Sequence, residues 1–295
     1  MTILTPTYNR AYILPNAFES LCKQTDNDFE WIVVDDGSTD DTETVVRTWL
    51  TQELPFTLRY FKQENGGKHR AVNNGVQEAN YDYIMILDSD DHLTNDAVEK
   101  VHGWIKTIEG NSDFAGVSGL RGWINKPGCI GGSGNGQAYI DAKNTERRKY
   151  HLDGDKAEVY KTEILRKYPF PEFEGENFLS EHVVWDTIAR DGYKIRWFNE
   201  VIYLGEYLED GLTKSTDYKL QLNSFNGFTL STNIRKDNEI FPWNYFSIGV
   251  YTHVAKLKGL KRKDVKKALS VNGLELFIGK CIFSANEIRK QLRKK

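Results

Sequence analysis

The chain has 295 residues, 39% hydrophobic and 27% charged, with a formal net charge of −3. That is ordinary globular composition, enough for one large core or one α/β domain with a smaller appendix. No apolar run reaches bilayer-spanning length, and the three cysteines (Cys22, Cys129, Cys281) are too scattered for metal-ligand spacing. Met1 leads straight into a strand-like Ile3-Leu4, so no signal peptide is expected. With an odd cysteine count, this favours a reducing, cytoplasmic setting. The small net charge hides an asymmetry. Residues 253–295 hold thirteen Lys/Arg against three Asp/Glu, roughly +10, which leaves about −13 on the rest. Such a tail points to an anionic partner, a lipid surface or a nucleic acid.

In chain order, residues 2–5 read as a short strand ending at Pro6-Thr7-Tyr8-Asn9-Arg10. Ile13, Leu14, Ala17, Phe18, Leu21 and Cys22 then recur at helical spacing. A second predicted strand, 29–34, ends in Asp35-Asp36 before Gly37-Ser38. Asp40 with Glu43 is the expected capping box of the next helix, whose inner face is Val45, Val46, Trp49 and Leu50. Residues 57–61 are a third strand, followed by the turn Asn65-Gly66-Gly67-Lys68 and a helix with small inner residues, Ala71, Gly75 and Ala79. Tyr83-Ile84-Met85-Ile86-Leu87 is a buried-type strand that stops at Asp88-Ser89-Asp90-Asp91. Val98, Val101, Trp104 and Ile105 mark one more helix. The β-α alternation with short connections predicts a mostly parallel central sheet with helices on both faces.

After a strand near 114–120 the alternation stops, and five glycines within 128–136 predict a mobile loop or tight hairpin. Further expected elements are a strand at 155–160, a short helix at 161–167, a helix at 178–191 and two strands, 194–198 and 201–207. A polar run, 209–215, follows, and from about Tyr218 the pattern is helical and increasingly basic.

Three carboxylates at the end of an apolar strand cannot be core, because unpaired buried charge is costly. In an open α/β sheet the carboxyl ends of the strands are where ligands bind. Hard oxygen donors there suit Mg²⁺ or Mn²⁺, which take one or two carboxylates plus substrate phosphates. The plain alternative is a solvated acidic turn capping the next helix.

Taken together, Thr5-Pro6-Thr7-Tyr8-Asn9-Arg10, Val33-Val34-Asp35-Asp36-Gly37-Ser38-Thr39-Asp40 and Leu87-Asp88-Ser89-Asp90-Asp91 resemble the donor-site motifs of the family 2 glycosyltransferases. The likeness is tight over the first 120 residues or so. It continues more loosely through Gly154–Tyr160 and Glu206–Thr213, runs similar to those of bacterial polysaccharide-assembly members. It implies the GT-A fold (α/β, Rossmann-like) with a C-terminal helical appendix. The expected division is a catalytic domain over 1–217, with a nucleotide-sugar half to 120 and an acceptor half from 121, followed by a basic helical region, 218–295.

The resemblance also implies roles. Asp36 would accept from a uracil N3–H, a strong charge-assisted bond, and Tyr8 would pack near the base. Plain helix capping by Asp36 and core packing of Tyr8 are the alternatives. Lys68 would approach uracil or phosphate, or be a solvated lysine; Pro6 and Ser89 complete the expected donor-binding set. Asp90 would hold the metal and Asp88 the ribose or a metal-bound water, with Asp91 a second metal contact or a helix N-terminal charge. The metal's task is to neutralise the departing diphosphate.

The family inverts the anomeric centre by direct displacement, using one general base from an E-D motif near a helix start. Registering Ser180-Glu181-His182-Val183-Val184-Trp185 on Trp185 puts Glu181 at the base position and Ser180 where the family has glutamate, a departure. His182 is the rival base, with a pKa near the working range. The expected partners are a nucleotide-sugar (UDP-sugar) donor and a saccharide or lipid-linked saccharide acceptor. Loops such as 122–140 and 172–177 would read the sugar and acceptor.

Three other readings stand beside this one. A sugar nucleotidyltransferase would want a Gly-rich phosphate loop after the first strand, and Thr5–Arg10 contains no glycine. A non-catalytic nucleotide-sugar-binding module would have lost base or metal acids, and here they are present save for Ser180. A nucleic-acid binder explains the basic tail but not the acids at the strand ends, so no nucleic-acid partner is expected. In the tail, Leu257, Leu260, Val265 and Leu269 interleave with lysines. Peripheral contact with anionic lipid at the cytoplasmic face of the membrane is one expectation, packing on the catalytic domain or homo-oligomer contact the other.

Overall fold

The computed structural model describes residues 1–206 and 218–292. The polar run 209–215, most of the loosely similar run after Glu206 and the last three tail residues lie outside the described residues. Contacts divide the chain into two compact units, Met1–Phe170 with Thr187–Gly211 and Pro171–Asp186 with Leu212–Lys295. Residues 171–186 thus group with the C-terminal helices, so the division is not a single cut in the chain.

In the first unit, β1 (Thr2–Thr7), β2 (Glu30–Asp35), β3 (Thr57–Lys62) and β4 (Tyr83–Ile86) alternate with α1 (Leu14–Cys22), α2 (Thr42–Trp49) and α3 (Lys68–Glu78). Then come β5 (His92–Leu93), α4 (Ala97–Lys106), β6 (Phe114–Trp123), β7 (Tyr139–Ala142), β8 (Lys156–Lys161), α5 (Thr162–Lys167) and β9 (Lys194–Gly205). The strands form one sheet in the order β3-β2-β1-β4-β8-β6-β9-β5, with β7 paired to β9. β1 to β4 run parallel, as does β6 with β9, while β8, β5 and β7 are antiparallel to their neighbours.

Every residue of β1 and β2 is buried, as expected of strands covered on both faces. Phe18 of α1 stacks on Trp49 of α2 at 4.3 Å between ring centroids, over Trp31 of β2. Fully burying each such large side chain contributes about 1.5–3 kcal/mol. The connection from β1 runs to β2 on one side, while β4 joins β1 on the other, which makes the β1/β4 junction the topological switch point. A ligand crevice is expected outside the carboxyl ends of the strands there.

The structure corrects several local expectations. The capping box on Asp40 and Glu43 does not form, because α2 starts at Thr42, one residue too late for Glu43 to reach back. Asp40 instead accepts from Thr42 N at 3.0 Å and Ala11 N at 3.1 Å, and Glu43 pairs with Arg47 and Lys62. The two expected strands at 194–198 and 201–207 are one strand, β9. Its pairing with β6 jumps from Ser118–Trp197 to Leu120–Val201, so a bulge absorbs the polar Asn199-Glu200. The glycine-rich stretch is zipped backbone to backbone, Gly132 N to Asp153 O and Gly134 N to His151 O, both at 2.9 Å. Short β5 and β7 had no readable periodicity.

The second unit holds α7 (Lys219–Asn223), α8 (Phe225–Asn238), α9 (Trp243–Leu257), α10 (Arg262–Leu269) and α11 (Gly273–Leu292). Ile248, Tyr251, Ala255, Val265, Leu269 and Leu276 are its core. Gly249 lets α9 and α11 approach closely, since a Cβ there would stand 2.2 Å from the Gly279 carbonyl oxygen. Buried Glu176 caps α8, accepting from Asn226 N at 2.7 Å and Gly227 N at 2.8 Å. The helix expected at 178–191 begins later, as α6 (His182–Arg190), with the Glu181 carbonyl accepting from Trp185 N at 3.2 Å. Among the described residues no single helix is long and apolar enough to cross a membrane.

Candidate active site

At the switch point the loops after β1 and β2 hold each other. Asn9 N donates to Ser38 Oγ at 2.9 Å, and Asn9 Oδ1 accepts from Thr39 N at 2.8 Å and Asp40 N at 3.3 Å. Asn9 does this from a left-handed backbone, φ 52°, which an asparagine tolerates better than most residues. Pro6 is buried in β1, whereas Tyr8 is 46% exposed, so core packing is not its role. Its ring is available as a platform.

Asp35 is buried and accepts from Ser38 N and the Tyr60 hydroxyl, each at 2.7 Å. Asp36 is also buried, and its carboxylate is filled by protein donors. Oδ1 accepts from Gln63 Nε2 at 2.8 Å and Gly66 N at 2.9 Å; Oδ2 accepts from Asn65 Nδ2 at 3.2 Å and Gly67 N at 2.7 Å. A carboxylate has about four acceptor positions, and all four are taken here. The structure thus gives Asp36 the task of holding the Asn65-Gly66-Gly67 turn at the start of α3. The uracil contact expected of it would require one of these donors to yield.

The turn after β4 carries Asp88, Ser89, Asp90 and Asp91. Oxygens from its three carboxylates lie within 4.8 Å of one another. Ser89 is buried, Asp88 and Asp90 are partly exposed, and Asp91 is 1% exposed. Lys68, from the start of α3, places its ammonium on Asp88 Oδ1. Burial works against ionisation of Asp88, but Lys68 and then Arg121 outweigh it and hold the group below the usual carboxylate range. Asp90 is pushed up by burial and by the Asp88 charge, and Asp91 by the same two causes despite Arg121. A divalent cation on Asp88 and Asp90 would relieve that crowding. Two accessible carboxylates with room for phosphate and water oxygens fit Mg²⁺ or Mn²⁺.

Arg121, at the end of β6, and Tyr203, near the end of β9, meet this turn, and the motif reading did not include them. Arg121 Nη2 donates to Asp91 Oδ2 at 2.6 Å, and the Tyr203 hydroxyl donates to the same oxygen at 3.0 Å. Burial, then the Asp88 and Asp91 charges, raise the Tyr203 phenol, so it keeps its proton. The signal for Arg121 was available: a buried acid needs a partner, and an arginine follows the strand predicted at 114–120.

In the second unit, the side chain of half-buried His182 is occupied on both nitrogens. Nδ1 pairs with Ser180 Oγ at 2.7 Å, while Nε2 meets Ser231 Oγ at 3.1 Å and accepts from Arg235 Nε at 3.3 Å. Burial and then the Arg235 charge lower its pKa to about 3. That imidazole is a structural link, held neutral, and Ser180 is what steadies it. Glu181 stands half-buried at the start of α6.

A parallel-led sheet with acids gathered at the switch point defines a GT-A-type α/β protein. Residues 2–122 match the family model described as Glycosyl transferase family 2, and the chain carries a family 2 glycosyltransferase domain over that segment. A curated relative, the GalNAc(5)-diNAcBac-PP-undecaprenol beta-1,3-glucosyltransferase of Campylobacter jejuni, is 26% identical over 65% of this chain. The match spans only 60% of that relative's length. Among solved structures, S. aureus TarS 1-349 in complex with UDP-GlcNAc superposes with a TM-score of 0.63 at 20% identity, covering 94% of this chain and 78% of that one. The Pyrobaculum calidifontis mannosyltransferase PcManGT, in complex with GDP-Man and Mn²⁺, gives 0.53 at 17% identity, covering 97% and 74%. At these identities the likeness establishes the fold.

Proposed function

We propose that this protein moves a sugar from a nucleoside-diphosphate sugar, a UDP-sugar, to a saccharide or lipid-linked saccharide, inverting the anomeric centre with a divalent metal. The observation that carries the reading is the convergence of three polar strand ends, after β1, β2 and β4, on one switch point holding an acid cluster. The TarS complex with UDP-GlcNAc supports the donor class, and the PcManGT complex supports Mn²⁺ as a fitting ion. The C. jejuni relative, named for a PP-undecaprenol-linked glycan, supports a lipid-linked acceptor.

In this reading the exposed ring of Tyr8 lies under the base, beside the turn that Asp36 holds. Asp90 and Asp88 would hold Mn²⁺ or Mg²⁺, which when bound neutralises charge on the departing diphosphate. Lys68, whose ammonium rests on Asp88, would also be able to offer its flexible cationic arm to a phosphate oxygen of the donor. Glu181 takes the acceptor hydroxyl proton while that oxygen bonds to the anomeric carbon. The bond to the diphosphate oxygen breaks on the opposite face. Glu181 holds this role by the register of the Ser180–Trp185 run.

The same reading places the protein at the cytoplasmic face of a membrane. Leu274, Phe277, Cys281, Ile288 and Leu292 of α11 are exposed, and at 100° per residue they share an arc of about 60°. Lys258, Lys261, Lys263, Lys266 and Lys280 are exposed on the same unit. Each basic residue near anionic lipid is worth about 1 kcal/mol, so several hold an enzyme reversibly.

Two experiments test this. UDP with Mn²⁺ should raise the melting temperature, and a panel of nucleotide sugars should include one that is slowly hydrolysed. Stabilisation without hydrolysis of any donor would make it a nucleotide-sugar-binding module. Co-sedimentation with liposomes should rise with anionic lipid and fall with salt. No binding, together with a concentration-dependent dimer, would give the α11 face to a second copy.

A further inference from the structure

We propose that Asp91 is a buried anchor and not a metal ligand, and that Arg121 and Tyr203 act through it as positioning residues for Asp88 and Asp90. This rests on the metal-dependent reading above and adds the residues that hold its site in place.

The Tyr203 hydroxyl is used twice. It accepts the Asp88 backbone N–H at 2.9 Å and donates its own proton to Asp91 Oδ2 at 3.0 Å. One phenol thus ties the first residue of the acidic turn to the last. Arg121 Nη2 fills the same Asp91 oxygen at 2.6 Å, and its guanidinium lies 5.1 Å from the centroid of the Tyr203 ring. The turn's own bond, Asp91 N to Asp88 O at 3.1 Å, closes the loop.

Asp91 Oδ1 is buried against Gly205. A Cβ on Gly205 would stand 2.3 Å from that oxygen and 2.4 Å from Arg121 Nη2, so a glycine is what leaves room for the ion pair. An ion that must also keep waters and phosphate oxygens cannot be served by a carboxylate enclosed in this way. The partly exposed Asp88 and Asp90 can serve it. Strands β4, β6 and β9 therefore meet in one block, and the two ligating acids project from it. Groups that orient metal ligands typically change affinity by about 10- to 100-fold when removed.

Tyr203→Phe keeps the ring and deletes the hydroxyl. In protein without metal or nucleotide, hydrogen exchange of the Asp88 amide should speed up about tenfold, a value set by one lost hydrogen bond. With UDP present, Mn²⁺ affinity, read from the electron paramagnetic resonance of the unbound ion, should fall by about tenfold. Metal-free UDP affinity should stay near wild type, while the melting temperature falls by only about 3–6 °C, the shift that the same tenfold loss implies for a unit of this size. Asp91→Asn, which still offers an acceptor to Arg121 and Tyr203, should lose far less Mn²⁺ affinity than Asp90→Asn. Equal losses in those two variants would make Asp91 a ligand and overturn the proposal. An Asp88 amide indifferent to Tyr203→Phe would overturn it as well. A wild-type protein that binds no Mn²⁺ with UDP would instead remove the metal-dependent reading, and the amide exchange would still decide the anchor.

Discussion

Replacing Asp36 with asparagine separates two tasks for one carboxylate. If Asp36 holds the Asn65-Gly66-Gly67 turn, the change is felt in the folded protein before any ligand arrives. Each carboxylate oxygen accepts one backbone N–H, Gly66 on Oδ1 and Gly67 on Oδ2. Whichever way an asparagine amide is flipped, its NH₂ faces one of them. A side-chain donor such as Gln63 can turn away, but a buried backbone N–H cannot, and leaving it unmet costs about 1–3 kcal/mol. Losing the charge on the remaining bonds adds about 1 kcal/mol, since charge-assisted bonds are roughly twice as strong as neutral ones. The sum is about 3 kcal/mol, which for a unit of this size lowers the melting temperature by about 6–12 °C. Thermal and urea unfolding of Asp36→Asn, without nucleotide, measure it directly. A variant that melts within a degree or two of wild type yet no longer binds UDP would refute the cage and return Asp36 to the base.

Asp90→Asn should abolish turnover, and Mn²⁺ should cease to strengthen UDP binding; full activity of that variant in excess chelator would remove Asp90 from the metal site. Glu181→Gln should slow transfer by roughly 10²–10⁴-fold with donor affinity nearly unchanged. If His182→Ala produces that phenotype and Glu181→Gln does not, the register on Trp185 is wrong. His182 also sets a pH dependence. With a folded pKa lowered to about 3, against about 6.5 unfolded, it binds its proton preferentially in the unfolded chain. Its neutral form therefore contributes fully above about pH 6.5, and that contribution is lost as pH falls toward 3. Urea midpoints between pH 7 and 4 should fall less steeply in His182→Gln than in wild type, and parallel slopes would contradict the buried neutral imidazole.

The strand ends were legible because an apolar run that stops at a carboxylate is a signal within one stretch of chain. Leu87-Asp88 and Val34-Asp35 each carry it, and the parallel pairing of β1, β2 and β4 brings the stretches together. What was not legible depends on distant partners. Nothing near Asp91 announces that Tyr203, 112 residues on, will take its oxygen, or that Gly205 makes room for it. The orientation of a side chain was equally hidden. Asp36 reads as a ligand contact by motif, and only the fold brings Gln63, Asn65, Gly66 and Gly67 onto it. His182 shows the same limit in reverse, since a pKa suited to catalysis on paper is displaced by burial and a neighbouring arginine.

Glu176 has a bearing on how this protein could be altered. The stretch 172–177, a natural place to look for acceptor selectivity, is not an unconstrained surface loop, because its fifth residue, Glu176, carries the carboxylate that caps α8. Exchanging the whole stretch for one from another transferase would uncap a 14-residue helix as well as change the contacts it offers. Grafts that keep Glu176 and vary the residues before it retain the helix start, so selectivity can be redesigned there only with one position withheld from the library.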